Sequence, residues 1–167
     1  GDRLAIHRQP GGLFYLIDAW QAHQIAQQQL TQLHISLDES LNDLADITRG
    51  LAIADAFTLK QAKLGGIWPT LQAIHQISVV DKIPWIGGML SSGVGRAVDL
   101  ALASLPATRQ VPADSSSASR YFERDIVLAQ PEIVTGRLPV PSTPGLGVTI
   151  DWSAVADLQA SDTMTIK

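Results

Sequence analysis

Apolar residues in this chain come in short continuous bursts separated by longer amphipathic stretches. Ile35-Ser36-Leu37, Ala56-Phe57-Thr58-Leu59 and Ile83-Pro84-Trp85-Ile86 are three such bursts. Each is too short for a helix and apolar on both faces, so each predicts a buried strand. Helical signals follow them. Ser40 and Asp43 are suited to cap a helix over Leu41–Leu51, and Pro69 suits the first turn of a helix running through Ile77. Val94 to Leu105, rich in alanine and leucine, predicts a third helix. Upstream, Ala19 to Leu33 sets Trp20, Ile25, Leu30 and Leu33 on or near one broad helical face. Leu13 to Ile17 reads as one further buried strand, after the breaker cluster Gln9-Pro10-Gly11-Gly12.

Strand then helix repeats three times at roughly 22–26-residue spacing, the rhythm of a parallel α/β protein. Two of the strands run directly into a charge: Leu37 into Asp38, and Leu59 into Lys60. A charge at the end of a buried strand is costly unless a metal or a partner compensates it. Active sites of (β/α) barrels gather at those carboxyl ends, so the predicted fold class is α/β, a partial (β/α) barrel. A full barrel takes ~200 residues or more, so three or four units are about half of one. The rhythm breaks after Ala113. Asp114 to Ser119 is a serine-rich loop, and Tyr121 to Ile150 reads as short strands and turns around Gly136, Pro139, Pro141 and Pro144-Gly145. Trp152 to Lys167 reads as one or two helical turns and an extended end. The expected organisation is an unassigned leader over 1–17, the barrel half over 18–118 and a carboxyl-terminal segment over 119–167.

Composition removes several function classes. With 46% hydrophobic and 17% charged residues the chain is a folded protein rather than a disordered one. A net charge of -4, with no basic stripe, argues against a nucleic-acid partner. The absence of cysteine excludes disulfides and thiolate metal sites. No apolar run approaches the ~18 residues of a membrane span, so a soluble cytoplasmic protein is expected. The first residue, Gly1, is not methionine and suggests processing or truncation. His7, His23, His34 and His75 show no ligand spacing, and Trp20, Trp68, Trp85 and Trp152 are expected to pack in the core. Lys63 is expected to face solvent. Asp38 alone reads more readily as a helix cap after a strand than as a ligand. The Gly87-to-Gly93 segment reads as a strand-to-helix turn, as a cradle for a substrate carboxylate, or as both.

Five stretches in register change the weighing. They are Leu37-Asp38-Glu39-Ser40; Leu59-Lys60 with Leu64-Gly65-Gly66; Gly87-Gly88-Met89 with Ser92-Gly93-Val94-Gly95-Arg96-Ala97; Ser119-Arg120-Tyr121-Phe122 with Asp125-Ile126; and Pro144-Gly145-Leu146-Gly147-Val148. In this order the chain resembles the carboxyl-terminal half of the enolase superfamily, in the branch of o-succinylbenzoate synthase and N-acylamino acid racemase. The resemblance covers roughly residues 18–151 and implies a magnesium-dependent dehydratase of menaquinone biosynthesis, with the racemase as alternative. It makes Asp38 the last of three acidic Mg2+ ligands and Lys60 the lysine opposite the usual base, its pKa lowered by burial beside a metal. Gly88, Met89, Ser91 and Ser92 become substrate contacts. Its implied partners are a small carboxylate substrate and a second copy or a separate amino-terminal half.

The resemblance also exposes departures. The capping domain, the Lys-x-Lys strand and the strand of the first ligand are expected to be missing. Arg8-Gln9-Pro10 carries arginine where the second ligand, a glutamate before Gln-Pro, belongs. Ser91 stands where that branch often has glutamate. An inactive fragment that works only in association is therefore a further expectation, and Pro144–Gly147 is expected to be a turn facing the capping domain in the parent fold.

Overall fold

A computed structural model describes the backbone of residues 4–9 and 12–17, and residues 34–129 and 131–158 in full. The chain divides into two compact units: Gly1–Met89 with Asp99–Ser115, and Leu90–Val98 with Ser116–Lys167.

The first unit is built on a five-stranded sheet whose strands lie side by side in chain order. Strand β1 (Leu4–Gln9) pairs antiparallel with β2 (Gly12–Ile17), and β2 pairs parallel with β3 (His34–Leu37). Strands β4 (Ala56–Leu59) and β5 (Ile83–Ile86) continue the parallel pairing. The expected strand at Leu13–Ile17 is thus β2, and the leader contributes a hairpin to the sheet. Arg8 and Gln9 belong to its first arm, opposite Leu13 and Gly12. The predicted helix over Ala19–Leu33 lies outside the described residues.

The three bursts are strands because each is buried on both faces, where β-branched and large apolar side chains pack on the pleat. Leu37, Ala56, Phe57, Leu59 and Ile86 are fully buried. Helix α1 (Leu44–Gly50) starts at Asp43, whose carboxylate accepts from the Asp46 amide at 2.9 Å. Its last residue must be glycine: a Cβ on Gly50 would lie 2.4 Å from Leu37 Cδ1 and 2.7 Å from Phe57 Cε1. After β4 come the single turn α2 (Gln61–Leu64) and then α3 (Ile67–Ser78). Gly65 and Gly66, at φ 92° and 108°, make the reversal between them in a region other residues avoid. Pro69 sits in the first turn of α3, where a missing N–H costs nothing. Ala73, Ile74 and Ile77 supply its buried face. Helix α4 (Gly93–Ala103) gives this unit Leu100 and Leu102, and Thr108 Oγ1 donates to the Leu102 carbonyl at 2.6 Å.

The second unit is largely irregular. It holds the start of α4, a 3-10 turn at Ala118–Arg120, isolated bridges between Val127 and Ile150 and between Val134 and Arg137, and the short α5 (Trp152–Asp157). The strands expected between Tyr121 and Ile150 reduce to isolated bridges, because too few apolar alternations occur there to bury a sheet face. Pro144–Gly147 is a turn, with Gly145 and Gly147 at positive φ. The tryptophan expectation fails at two of the described positions. Trp85 is buried, whereas Trp68 and Trp152 are 70% and 74% exposed, each at the start of a short-sided helix with no layer above it. No described helix is long and apolar enough to cross a membrane.

Candidate active site

Parallel pairing brings the two strand-end charges together. The register Leu37↔Phe57 leaves Asp38 and Lys60 just beyond the ends of adjacent strands β3 and β4. Lys60 Nζ lies 2.6 Å from Asp38 Oδ1, and both side chains are largely buried. Lys60 also donates to Glu39 Oε1. Glu39 in turn accepts from Lys63, which donates to its Oε2 at 3.0 Å and to its carbonyl at 2.7 Å. Lys63 is therefore half-buried and engaged rather than free in solvent. Glu39 is the participant that pattern reading passed over. Its signal was its place beside Asp38 in a turn where Leu41 N bonds back to Asp38 O at 3.0 Å, which presents both carboxylates to one lysine.

The electrostatics follow from this crossing. Burial pushes the Asp38 carboxyl above its ordinary value, with Lys60 offsetting part of the rise. Glu39 is held below the usual range, chiefly by its bond from Lys60, with Lys63 adding to it. Burial works to lower the Lys60 ammonium, but Asp38 and Glu39 together outweigh it, so its pKa is raised. Two acceptors here outweigh desolvation. In this arrangement Lys60 is a charged donor that steadies negative charge or releases a proton, not a free base.

The expected substrate contacts lie in the segment between β5 and α4. Gly88 packs against the serine-rich loop, where a Cβ would lie 2.4 Å from the Asp114 carbonyl oxygen and 3.0 Å from Asp114 Oδ2. Met89 ends the first unit, and Ser91 and Ser92 belong to the second. There the first amide of α4 is already taken: Gly93 N donates to both Asp125 oxygens, at 3.0 and 2.8 Å. The chain's own carboxylate thus caps the start of this helix.

Asp38 offers the hard oxygens that magnesium prefers. Glu39, its neighbour, is committed to two lysines, and among the described residues no group of three or more His, Cys, Asp or Glu gathers to hold a metal. These residues alone fall short of a magnesium site.

A parallel sheet with an acid and a lysine on consecutive strand ends defines the class. The family model of enolase C-terminal domain-like proteins matches residues 17–154, and the chain belongs to that family. Within it, the chain is 36% identical over 150 residues to an o-succinylbenzoate synthase of Listeria innocua, covering 89% of this chain and 38% of that protein. It is 44% identical over 117 residues to an N-succinylamino acid racemase of Thermus thermophilus, covering 68% of this chain and 31% of the racemase. A solved enolase-superfamily structure from Listeria innocua superposes with a TM-score of 0.75 at 34% identity, over 84% of this chain and 38% of that one. The chain thus spans under two-fifths of the length of the relatives it matches.

Proposed function

We propose that this chain forms the carboxyl-terminal part of an o-succinylbenzoate synthase-like dehydratase, a lyase serving menaquinone biosynthesis. The Asp38–Lys60 pair carries the reading: an acid and an ammonium 2.6 Å apart on neighbouring strand ends, in a chain 36% identical over 150 residues to an o-succinylbenzoate synthase. In the reaction a carbon acid beside a carboxylate loses its proton, its electron pair forms a double bond, and hydroxide leaves with a proton as water. Lys60 supplies a fixed positive donor for the negative charge that develops when the proton leaves. Asp38 orients Lys60 and would offer one oxygen donor were Mg2+ bound. The other ligands and the proton-abstracting base come from polypeptide outside the described residues, whether in a longer chain, a second copy or a separate amino-terminal part.

The 44% identity to the Thermus racemase favours a second reading, in which Lys60 returns a proton to the same carbon without loss of water. Turnover of the o-succinylbenzoate precursor and of an N-succinylamino acid, each with magnesium and beside Lys60→Ala, tests both. Dehydration that falls by ~10²–10⁴-fold in the variant supports the first. Racemisation alone supports the second. A folded chain inert on both substrates supports a part that works only in association, and restoring activity with the amino-terminal two-thirds of a relative then identifies what it lacks.

A further inference from the structure

Beneath Lys60 runs a row of polar side chains for which the proposed chemistry has no use. Ser36, Thr58 and Trp85 stand on β3, β4 and β5, each two residues before Asp38, Lys60 and Gly87. Alternation puts each residue and its successor-but-one on the same face of the strand. Thr58 and Trp85 are direct partners across the β4–β5 pairing. All three are buried, Ser36 completely. Trp85 Nε1 donates to Ser36 Oγ at 3.1 Å, and Ser36 Oγ lies 3.2 Å from Thr58 Oγ1. An indole N–H can only donate. Ser36 therefore receives it on a lone pair, and either hydroxyl can donate in the bond between Ser36 and Thr58.

Apolar side chains would fill this layer with no polar groups to satisfy, whereas a hydroxyl here is tolerated only while its bonds hold. What the row adds is direction: three strands are tied at a fixed relative height, one layer below the charges. Gly87 completes the seat. Its amide donates to the Leu59 carbonyl at 2.9 Å. A Cβ at this position would lie 2.4 Å from Thr58 Cγ2, 3.3 Å from Lys60 Cε and 3.4 Å from Lys60 Cγ. Thr58 cannot swing aside to admit it. Its χ1 is stiff, and rotation would break the bond to Ser36 inside the core. The lysine stem or the strand would have to move instead.

We propose that Thr58 and Gly87 are positioning residues, Thr58 locked from below by Ser36 and Trp85 and Gly87 leaving the gap beside it, and that together they aim Lys60 Nζ at Asp38. This rests on the reading of Lys60 as the working group of the site.

The test is the lysine ζ-ammonium region of the 1H–15N spectrum of the labelled chain at one mildly acidic pH. A buried, ion-paired ammonium exchanges slowly enough to be seen there, and Lys60→Arg assigns its signal by deletion. Thr58→Val and Gly87→Ala are expected to shift the Lys60 signal or abolish it while the backbone amides of α3 stay in place. Thr58→Ser, which keeps the hydroxyl, is expected to preserve it. Ser36→Ala, which opens the lock one residue further away, is expected to shift it less and supplies the reading should Thr58→Val not fold. A Lys60 signal that is indifferent to Thr58→Val, or to Ser36→Ala in its place, overturns the proposal, as does a parent chain with no such signal. The measurement needs neither magnesium nor substrate. A chain that stays inert even with the amino-terminal two-thirds of a relative, but whose Lys60 signal responds as described, upholds the positioning role and sinks the dehydratase reading alone. A chain that turns over with an indifferent signal does the reverse.

Discussion

The two units are held by different forces. In the first, Leu37, Phe57, Leu59, Ile47, Ile77 and Ile86 are removed from water, and the strands keep parallel register around them. In the second, Phe122, Leu128, Val134, Val140 and Trp152 remain exposed, the buried apolar side chains are smaller, among them Ala118, Val127 and Ala154, and caps and surface ion pairs add to them. Arg124 alone joins Asp157, Asp151 at 3.1 Å and Ser153 at 2.7 Å. Burial sums over many contacts and is insensitive to salt, whereas exposed pairs are individually weak and screened. The candidate site charges stand on the unit whose geometry is set by burial, so their spacing is guarded by the most cooperative part of the chain.

Breaking that contrast starts in the sheet. Phe57→Ala empties a fully buried position and is expected to cost about 3–5 kcal/mol, read from urea unfolding. A loss under about 1 kcal/mol would show that the sheet is not the seat of stability. In the second unit Asp125→Ala removes the carboxylate that caps Gly93 and is expected to cost about 1 kcal/mol. It should loosen amide protection in the first turn of α4 and leave β3 to β5 unchanged in hydrogen exchange.

Acid offers a finer cut. Asp151 is held down to about 2, first by the Ser153 hydroxyl, then by the Ala154 amide and Arg124. Its folded value lies below the unfolded 3.8, so its contribution is complete above that value and disappears as pH falls from there through about 2. Chemical shifts of Trp152–Asp157 should follow this window and the sheet should not; fraying of α5 already at neutral pH would contradict the clamp. Smallest of all, Trp68→Ser at a 70% exposed position is expected to change stability by less than about 0.5 kcal/mol in the same urea measurement.

Much of the first unit was legible because buried parallel strands have a distinctive pattern. Ala56–Leu59 and Ile83–Ile86 were bounded to the residue, and Pro69 marked the start of its helix. The predicted helix from Leu41 begins instead at Leu44, because Asp43 outcompetes Ser40 as the cap. The Asp38–Lys60 meeting was legible from strand-end placement, since parallel register leaves adjacent ends little choice but to face one another. Glu39 and Lys63 were not, because whether a long flexible side chain turns inward depends on a partner supplied by another strand. The second partner of Lys60 was hidden for the same reason: pattern shows burial but not the approach of the Glu39 carboxylate. Trp68 and Trp152 misled because a large apolar side chain says nothing about whether a layer exists to cover it.

The crossing of Glu39 between Lys60 and Lys63 has one further consequence. With Asp38 it makes a quartet of two acids and two bases whose formal charges cancel. Such a quadrupole projects little field beyond its own width, so it attracts no anion from a distance and gives no diffusional steering. A carboxylate reaching it must first be brought there by shape or by another charge. Encounter rates governed by this cluster alone would then vary little with ionic strength.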